Sequence, residues 1–172
     1  MASIELLRHR LEDVCYEKEP SIQESLVDTV HSQLGKRVIR HGEDDKGMDP
    51  DEGFDCSGLV SLALDQIDYP RNGLRHCREF FDFLGNPNLI LPGFQEKGDL
   101  VFFSWNGNLP QHIGIMISKR AYVHALLKTG EVSVSALKFR QIVPGPKTIN
   151  PQKYPENPIG FKRLFPLSET EK

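Results

Sequence analysis

The spacing of hydrophobic residues changes near the middle of the 172-residue chain, and this change limits the possible folds more than any other feature. In the first half, apolar side chains recur every three or four residues, which is the spacing of one helix face. In the second half, short runs rich in Val, Ile and Phe are separated by turn residues, as in consecutive antiparallel strands. Helices followed by strands predict an α+β fold, with helices packed on an antiparallel sheet of five or six strands.

Capping residues indicate where two of the predicted helices begin. Ser21 and Glu24 form a capping-box pattern ahead of an apolar stripe that Gly35 would end. Asp55 is placed as the N-cap of a helix over residues 56–66. The remaining predicted elements are helices over 1–20 and 74–84, strands over 99–104, 112–118, 121–126, 131–137 and 160–165, and loops over 41–54 and the proline-rich segment 144–158.

Length and composition exclude several classes of protein. A chain of 172 residues can build one domain with a hydrophobic core, so we expect a single domain over residues 1–172. The net charge of −3 offers no basic surface for nucleic acid, and no apolar run approaches the length of a membrane span. The N-terminal residues lack the basic and apolar segments of a secretory signal. We therefore expect a cytoplasmic protein, or an effector delivered by a route that needs no such signal.

The sequence contains three cysteines, of which Cys56 has the surroundings of a nucleophile. An odd, sparse set argues against a disulfide framework, and Cys15 and Cys77 are interpreted as structural thiols. Cys56 lies where a polar loop turns into an apolar helix. Unpaired N–H groups and the macrodipole at a helix start are expected to lower the pKa of the thiol, and could also hold an oxyanion. Gly58 would let another backbone segment or a substrate approach closely.

Two of the six histidines lie in adjacent predicted strands. His112 and His124 are each six residues from Ser118, so a hairpin centred there would place them directly opposite one another. Side chains in such cross-strand pairs are about 5 Å apart, close enough for a hydrogen bond between the imidazoles. Alternation would bury the isoleucine face of the first strand and leave the histidine face to meet the Cys56 helix, with Gly114 providing room. The pattern predicts a nucleophile, a base and a residue that orients the base: Cys56, His112 and His124.

Four segments in this order resemble the NlpC-type cell-wall peptidases, papain-like enzymes that cut the peptide stems of bacterial murein. The segments are 55–60, 97–103, 112–115 and 122–125, and the resemblance covers about residues 25–140. It implies a papain-like domain that uses no cofactor and acts on a murein-derived peptide. In that reading Cys56 attacks the scissile carbonyl, His112 passes the proton to the leaving amine and His124 orients His112. Asp55 and Ser57 would help to hold the stem peptide.

Two positions bear on the substrate. Val38 stands where the family usually has a tyrosine near the active site. Trp105 follows a predicted strand end near the expected cleft, where it could line the substrate groove or fill a gap in the core.

Four functions are compatible with these residues. The first is hydrolysis of an amide bond, with the γ-D-glutamyl–diamino-acid bond of murein as the expected target. The second keeps the same site for acyl transfer or deamidation of another substrate, which the missing tyrosine favours. In the third, Cys56, His112 and His124 bind zinc, although structural zinc sites usually show close local pairs of ligands that this sequence lacks. In the fourth, the domain is a binding module without catalytic activity.

Overall fold

The computed structural model describes residues 20–40, 47–84, 88–104, 109–137 and 158–165. The helices within these ranges are α1 (Ile22–Ser32), α2 (Cys56–Gln66) and α3 (Cys77–Phe83). The strands are β1 (Met48–Asp49), β2 (Gly53–Phe54), β3 (Leu89–Ile90), β4 (Leu100–Phe103), β5 (His112–Met116), β6 (Ala121–Ala125), β7 (Val132–Ala136) and β8 (Pro158–Lys162). None of the helices in the described ranges has the length and apolar character needed to cross a membrane.

The predicted capping residues start α1 and α2. The Ser21 hydroxyl accepts a hydrogen bond from the Glu24 N–H at 3.2 Å, and the Glu24 carboxylate accepts one from the Ser21 N–H at 2.7 Å. The capping box is therefore confirmed. The Asp55 carboxylate caps α2 by accepting a hydrogen bond from the Gly58 N–H at 2.7 Å. Gly35 follows α1 with φ +77°, a left-handed conformation that suits the end of a helix.

The third helix begins later than predicted, at Cys77 rather than Leu74. The reason is a local carboxylate: Glu79 accepts hydrogen bonds from the N–H groups of Arg75 at 2.8 Å and His76 at 2.9 Å. These two donors are thereby satisfied outside the helix, as at a helix N-terminus.

Six strands form one antiparallel sheet in the order β3-β8-β4-β5-β6-β7. The α+β class with a five- or six-stranded antiparallel sheet is confirmed. Two short features were not predicted: β3 at one edge, and the β1–β2 ribbon inside the expected loop 41–54. Strands of two residues are too short to show alternation in a sequence. Strand β8 also begins at Pro158, at the end of the expected proline-rich loop, because proline is tolerated as the first residue of a strand.

The nucleophile helix packs on the sheet, but on the opposite face from the one predicted. Leu59, Val60 and Leu64 of α2 share one buried cluster with Ile113 and Ile115 of β5. The expectation that the histidine face would meet α2 is therefore wrong. Burying aliphatic side chains of the helix against the isoleucine face removes more apolar surface from water than packing them on imidazoles.

The histidine face of the sheet carries a second buried cluster, formed by Val101, Phe103, Met116, Tyr122, Leu137 and Phe161. Side chains of β6 on this face occupy the space that Gly114 leaves. A Cβ atom there would lie 2.9 Å from Cδ2 of Tyr122 and 3.3 Å from Cβ of His124. The glycine therefore makes room for β6 side chains and not for the helix.

Several predicted features lie outside the described residues. These are residues 1–19 of the expected N-terminal helix with Cys15, residues 144–157 of the proline-rich loop, and Trp105.

Candidate active site

Cys56 is the first residue of α2, and its thiol is half-buried. Burial, and after it the negative charge of Asp55, raise the pKa of the thiol to about 11. Hydrogen bonds from the backbone N–H groups of Ile113, Ser57 and Cys56 act in the opposite direction and lower it. The lowering effect of the helix start is confirmed, but the prediction that the pKa of the thiol falls overall is wrong. The N–H groups are present as expected, but the cost of a buried thiolate beside a carboxylate outweighs them.

The two polar neighbours of Cys56 in sequence form a buried network with Arg75. The Arg75 guanidinium donates to both carboxylate oxygens of Asp55, from Nη1 at 3.0 Å and from Nη2 at 2.6 Å. Nη1 also donates to the Ser57 hydroxyl at 3.1 Å, and that hydroxyl donates to Asp55 at 3.2 Å. Asp55 is 4% exposed, Ser57 2% and Arg75 8%. The predicted role of Asp55 as an N-cap is confirmed, while its contact with substrate, like that of Ser57, stays a prediction.

Sequence reasoning missed Arg75. Arg75 lies 20 residues after Asp55, too far for any local sequence pattern to link the two side chains. A bidentate pair between buried Arg and Asp side chains holds planar groups in a fixed geometry. Arg75 therefore fixes the start of α2, and with it the direction in which Cys56 points.

Gly58 completes this helix start, and the expected close approach is confirmed. A Cβ atom at Gly58 would lie 1.8 Å from the carbonyl oxygen of Gly47, a separation that no side chain can adopt. The same carbonyl accepts a hydrogen bond from the Asp55 N–H at 3.0 Å. The segment at Gly47 thus packs directly on the first turn of α2.

The two strand histidines form a hydrogen-bonded pair. His112 Nε2 and His124 Nδ1 are 2.7 Å apart, and the ring centroids are 5.0 Å apart at an interplanar angle of 74°. His112 is 3% exposed and His124 is fully buried. Phe103 lies against the first ring, with centroids 5.9 Å apart, and Tyr122 against the second at 4.9 Å. The aromatic neighbours limit the orientations available to both imidazoles.

The register that pairs the histidines differs from the predicted one by two residues. Ile115 pairs with Val123 and Met116 with Tyr122, so the hairpin is centred on residue 119 and not on Ser118. The cause lies in the turn, where the Ser118 hydroxyl accepts hydrogen bonds from the N–H groups of residues 120 and 121 at 3.3 and 3.0 Å. His124 therefore lies diagonally from His112. A shift of two residues keeps side chains on the same face, which is why the hydrogen bond survives.

Both imidazoles are held in the neutral form near pH 7. Burial, together with the neighbouring His124, lowers the pKa of His112 well below 6.5. Burial lowers the pKa of His124 to about 4. A neutral imidazole is the form that can accept a proton, so the pair is competent as a base at neutral pH.

The chain of hydrogen bonds continues beyond the predicted residues. His124 Nε2 lies 2.9 Å from the hydroxyl oxygen of Ser135 on β7. One sequence pattern points towards this contact. Ser133 and Ser135 alternate with valines in β7, so both serines lie on one face of the sheet.

Cys56 lies against the start of β5, the strand that carries His112. The N–H that reaches the Cys56 sulfur belongs to Ile113, which directly follows His112 in the chain. The structure thus brings the predicted nucleophile to the strand that carries the predicted base. Within the described ranges, no group of three or more His, Cys, Asp or Glu side chains is arranged to hold a metal ion.

An antiparallel sheet, a cysteine at the start of the helix packed on it, and a buried histidine pair on its central strands define a papain-like arrangement. The model of the NlpC/P60 family matches residues 40–143, which is more than half of the chain. The chain therefore belongs to the NlpC/P60 family, a family of cysteine hydrolases.

Curated relatives resemble parts of the chain. The probable endopeptidase YafL of Escherichia coli is 29% identical over 117 residues, which are 64% of this chain and 42% of YafL. (R)-mandelonitrile lyase 1 of Prunus dulcis is 28% identical over 121 residues, which are 67% of this chain and 21% of the lyase. The chain thus spans about two fifths and one fifth of the length of these two proteins.

Solved structures share the fold. The peptidoglycan hydrolase RipB of Mycobacterium tuberculosis superposes with a TM-score of 0.59 and 22% identity, over 84% of this chain and 65% of that chain. An NlpC/P60 family protein of Bacillus cereus gives a TM-score of 0.61 and 22% identity, over 84% of this chain and 40% of that chain. The α+β sheet with its packed helices is therefore that of known NlpC/P60 structures.

Proposed function

We propose that this protein is a cysteine hydrolase that cleaves an amide bond in murein stem peptides. Cys56 is the nucleophile, His112 the base and His124 the residue that orients the base. Family membership supports the chemistry, and relatives described as an endopeptidase and a peptidoglycan hydrolase support the substrate class. The observation that carries the proposal is the 2.7 Å hydrogen bond between His112 Nε2 and His124 Nδ1. It makes Nδ1 the nitrogen of His112 that takes the proton.

The reaction starts from a neutral thiol and a neutral imidazole, in line with the pKa values of Cys56 and His112. As the sulfur bonds to the scissile carbonyl carbon, the thiol proton passes to His112 Nδ1 and the carbonyl electron pair moves to oxygen. Backbone N–H groups at the start of α2 stabilise that oxygen as it becomes negative. His112 then protonates the leaving amine as the C–N bond breaks. Water hydrolyses the thioester with His112 again acting as base.

Within this class, the γ-D-glutamyl–diamino-acid bond is the proposed target, as the four matching sequence segments suggest. Asp55 and Ser57 remain the proposed contacts to the stem peptide. Both side chains already bond to Arg75, so a peptide amine near Asp55 would share the carboxylate with the guanidinium. Their contribution to binding is therefore expected to be smaller than their contribution to holding the helix start.

The test is cleavage of synthetic murein stem peptides by the purified protein, followed by mass spectrometry of the products. Wild type is expected to release the diamino-acid fragment, and Cys56→Ala is expected to release none. Cys77→Ala is the matched control, because this thiol lies in the same buried cluster but is outside the proposed reaction. If Cys56→Ala cleaves as well as wild type, or if wild type is inert on the whole peptide panel, the murein assignment is abandoned.

One observation favours a second candidate, acyl transfer by the same site. Val38 is buried against the core and pairs with Phe54, so no hydroxyl stands at the position where the family usually has tyrosine. Adding an amine acceptor to the peptide assay separates the two reactions. A hydrolase gives the free acid at every acceptor concentration, whereas a transferase gives the amide adduct instead.

A further inference from the structure

We infer that Ser135 is a positioning residue for the base, the last member of a hydrogen-bonded chain that runs from His112 through His124. The inference rests on the proposed function, because it concerns how the base of that site is held. The chain links three strands, with His112 on β5, His124 on β6 and Ser135 on β7.

The contact between His124 and Ser135 is set by the pairing of β6 and β7. His124 is the partner of Ser133 across the ladder, and Tyr122 is the partner of Ser135. The ring of His124 therefore reaches diagonally to Ser135, where its Nε2 lies 2.9 Å from the hydroxyl oxygen. Tyr122 holds the ring in an edge contact at 61° from one side, and His112 does so at 74° from another. This packing keeps Nε2 of His124 aimed at Ser135.

The positions of the ring hydrogens set the direction of donation along the series of hydrogen bonds. For His112 Nδ1 to accept the thiol proton, His112 Nε2 must carry a hydrogen and donate it to His124 Nδ1. His124 must then carry its own hydrogen on Nε2 and donate it to Ser135. A hydroxyl can either donate or accept, so it permits this direction at no cost. A positive charge on His112 favours this arrangement, in which His112 donates to His124 and His124 donates to Ser135.

The charge on His112 forms in a buried place, and burial opposes it. Hydrogen bonds that strengthen as charge develops offset part of this cost. The described side chains around the His124 ring are His112 from β5, Tyr122 from β6 and Ser135 from β7. Ser135 is the member of this group that accepts from His124, so its removal acts on the base through His124.

Ser133 is a matched control, because it is also a serine and lies in the same strand and on the same face of the sheet as Ser135. Ser135→Ala is expected to lower kcat on the stem peptide about tenfold, the usual effect of losing one hydrogen bond near a developing charge, with KM little changed. Ser133→Ala is expected to match wild type. Ser135→Thr, which keeps the hydroxyl, is expected to recover most of the rate.

A second readout does not depend on activity. Nitrogen-15 NMR of the ring is expected to show the hydrogen of His124 on Nε2 in wild type and in Ser133→Ala, and a mixture of tautomers in Ser135→Ala. Ser135→Asp is expected to raise the pKa of His124 by about one unit or more, because a carboxylate beside the ring favours its charged form, whereas Ser133→Asp is expected to have a smaller effect.

The outcomes separate this inference from the proposed function. If tautomers and pKa change as expected but no amide is cleaved, the role of Ser135 stands and the hydrolase assignment falls. If Cys56→Ala abolishes cleavage but Ser135→Ala equals wild type in kcat and in tautomer, the role of Ser135 is overturned.

Discussion

The candidate site has two buried polar pairs, an ionic one at the start of α2 and a neutral one on β5 and β6. At the start of α2, Asp55 and Arg75 are a fully formed ion pair with contacts of 2.6 and 3.0 Å. On β5 and β6, His112 and His124 are neutral rings joined by one 2.7 Å hydrogen bond. Both pairs are buried, so neither arrangement is due to greater access to water.

The difference shows which pair is built to change its charge. An ion pair with bidentate geometry keeps both charges throughout a reaction, so it serves to hold a backbone segment in place. A neutral imidazole pair can gain one proton and pass it on, which suits the role of base proposed for it. In the proposed reaction, the ion pair therefore stays charged and the histidine pair takes the proton from Cys56.

The largest expected effect tests the ionic pair. Arg75→Met leaves the Asp55 carboxylate buried without its partner, which typically costs about 3–5 kcal/mol of the free energy of unfolding. Arg71→Met is the control and is expected to lose less stability, because its salt bridge to Asp65 and its hydrogen bond to the Leu74 carbonyl are only partly buried. Urea unfolding of the two variants measures the difference.

The comparison would break if the Arg71 and Arg75 variants lost the same stability. It would be sharpened by the double variant Asp55→Asn with Arg75→Met. Removing both charges leaves amide and apolar groups in the buried site, so the double variant is expected to recover part of the loss seen in Arg75→Met alone.

The dependence of the free energy of unfolding on pH tests the neutral histidine pair, with a somewhat smaller expected effect. His124 takes up a proton near pH 6.5 in the unfolded chain but only near pH 4 in the folded one. The unfolded state therefore binds the proton first as the pH falls. The stability present above pH 6.5 is lost between pH 6.5 and 4, by about 3 kcal/mol for this ring.

His124→Gln removes this titration, so its free energy of unfolding is expected to fall less steeply over the same pH range. His31→Gln, which changes an exposed histidine of α1, is the control and is expected to follow wild type. Urea titrations at pH 7, 6, 5 and 4 give the two slopes. Equal slopes for His124→Gln and wild type would mean that the buried ring is not held neutral.

Local signals in the sequence were enough for the starts of α1 and α2 and for the identity of the histidine pair. Ser21 and Asp55 cap helices through side chains that lie within three residues of their partners. Alternation correctly put His112 and His124 on one face of the sheet. In each case the pattern and its structural consequence lie within one element or one hairpin.

Features set by distant contacts could not be predicted in this way. Alternation gives the two faces of a strand but not the face that a helix covers, so α2 was assigned to the wrong side. The hairpin register is a local exception, because it depends on a hydroxyl contact of Ser118 within the turn that alternation does not reveal. Arg75 comes from another element, and the pKa of Cys56 depends on burial by the whole fold.

The rate at which iodoacetamide alkylates Cys56, measured against pH and read by peptide mapping, tests the neutral resting pair most directly. With a thiol whose pKa is about 11, the rate is expected to rise steadily from pH 6 to 10 with no plateau at low pH. Cys77, whose thiol is buried, is expected to react more slowly at every pH. A plateau of high reactivity between pH 5 and 7 would show a thiolate already paired with a protonated His112, and would contradict the neutral pair.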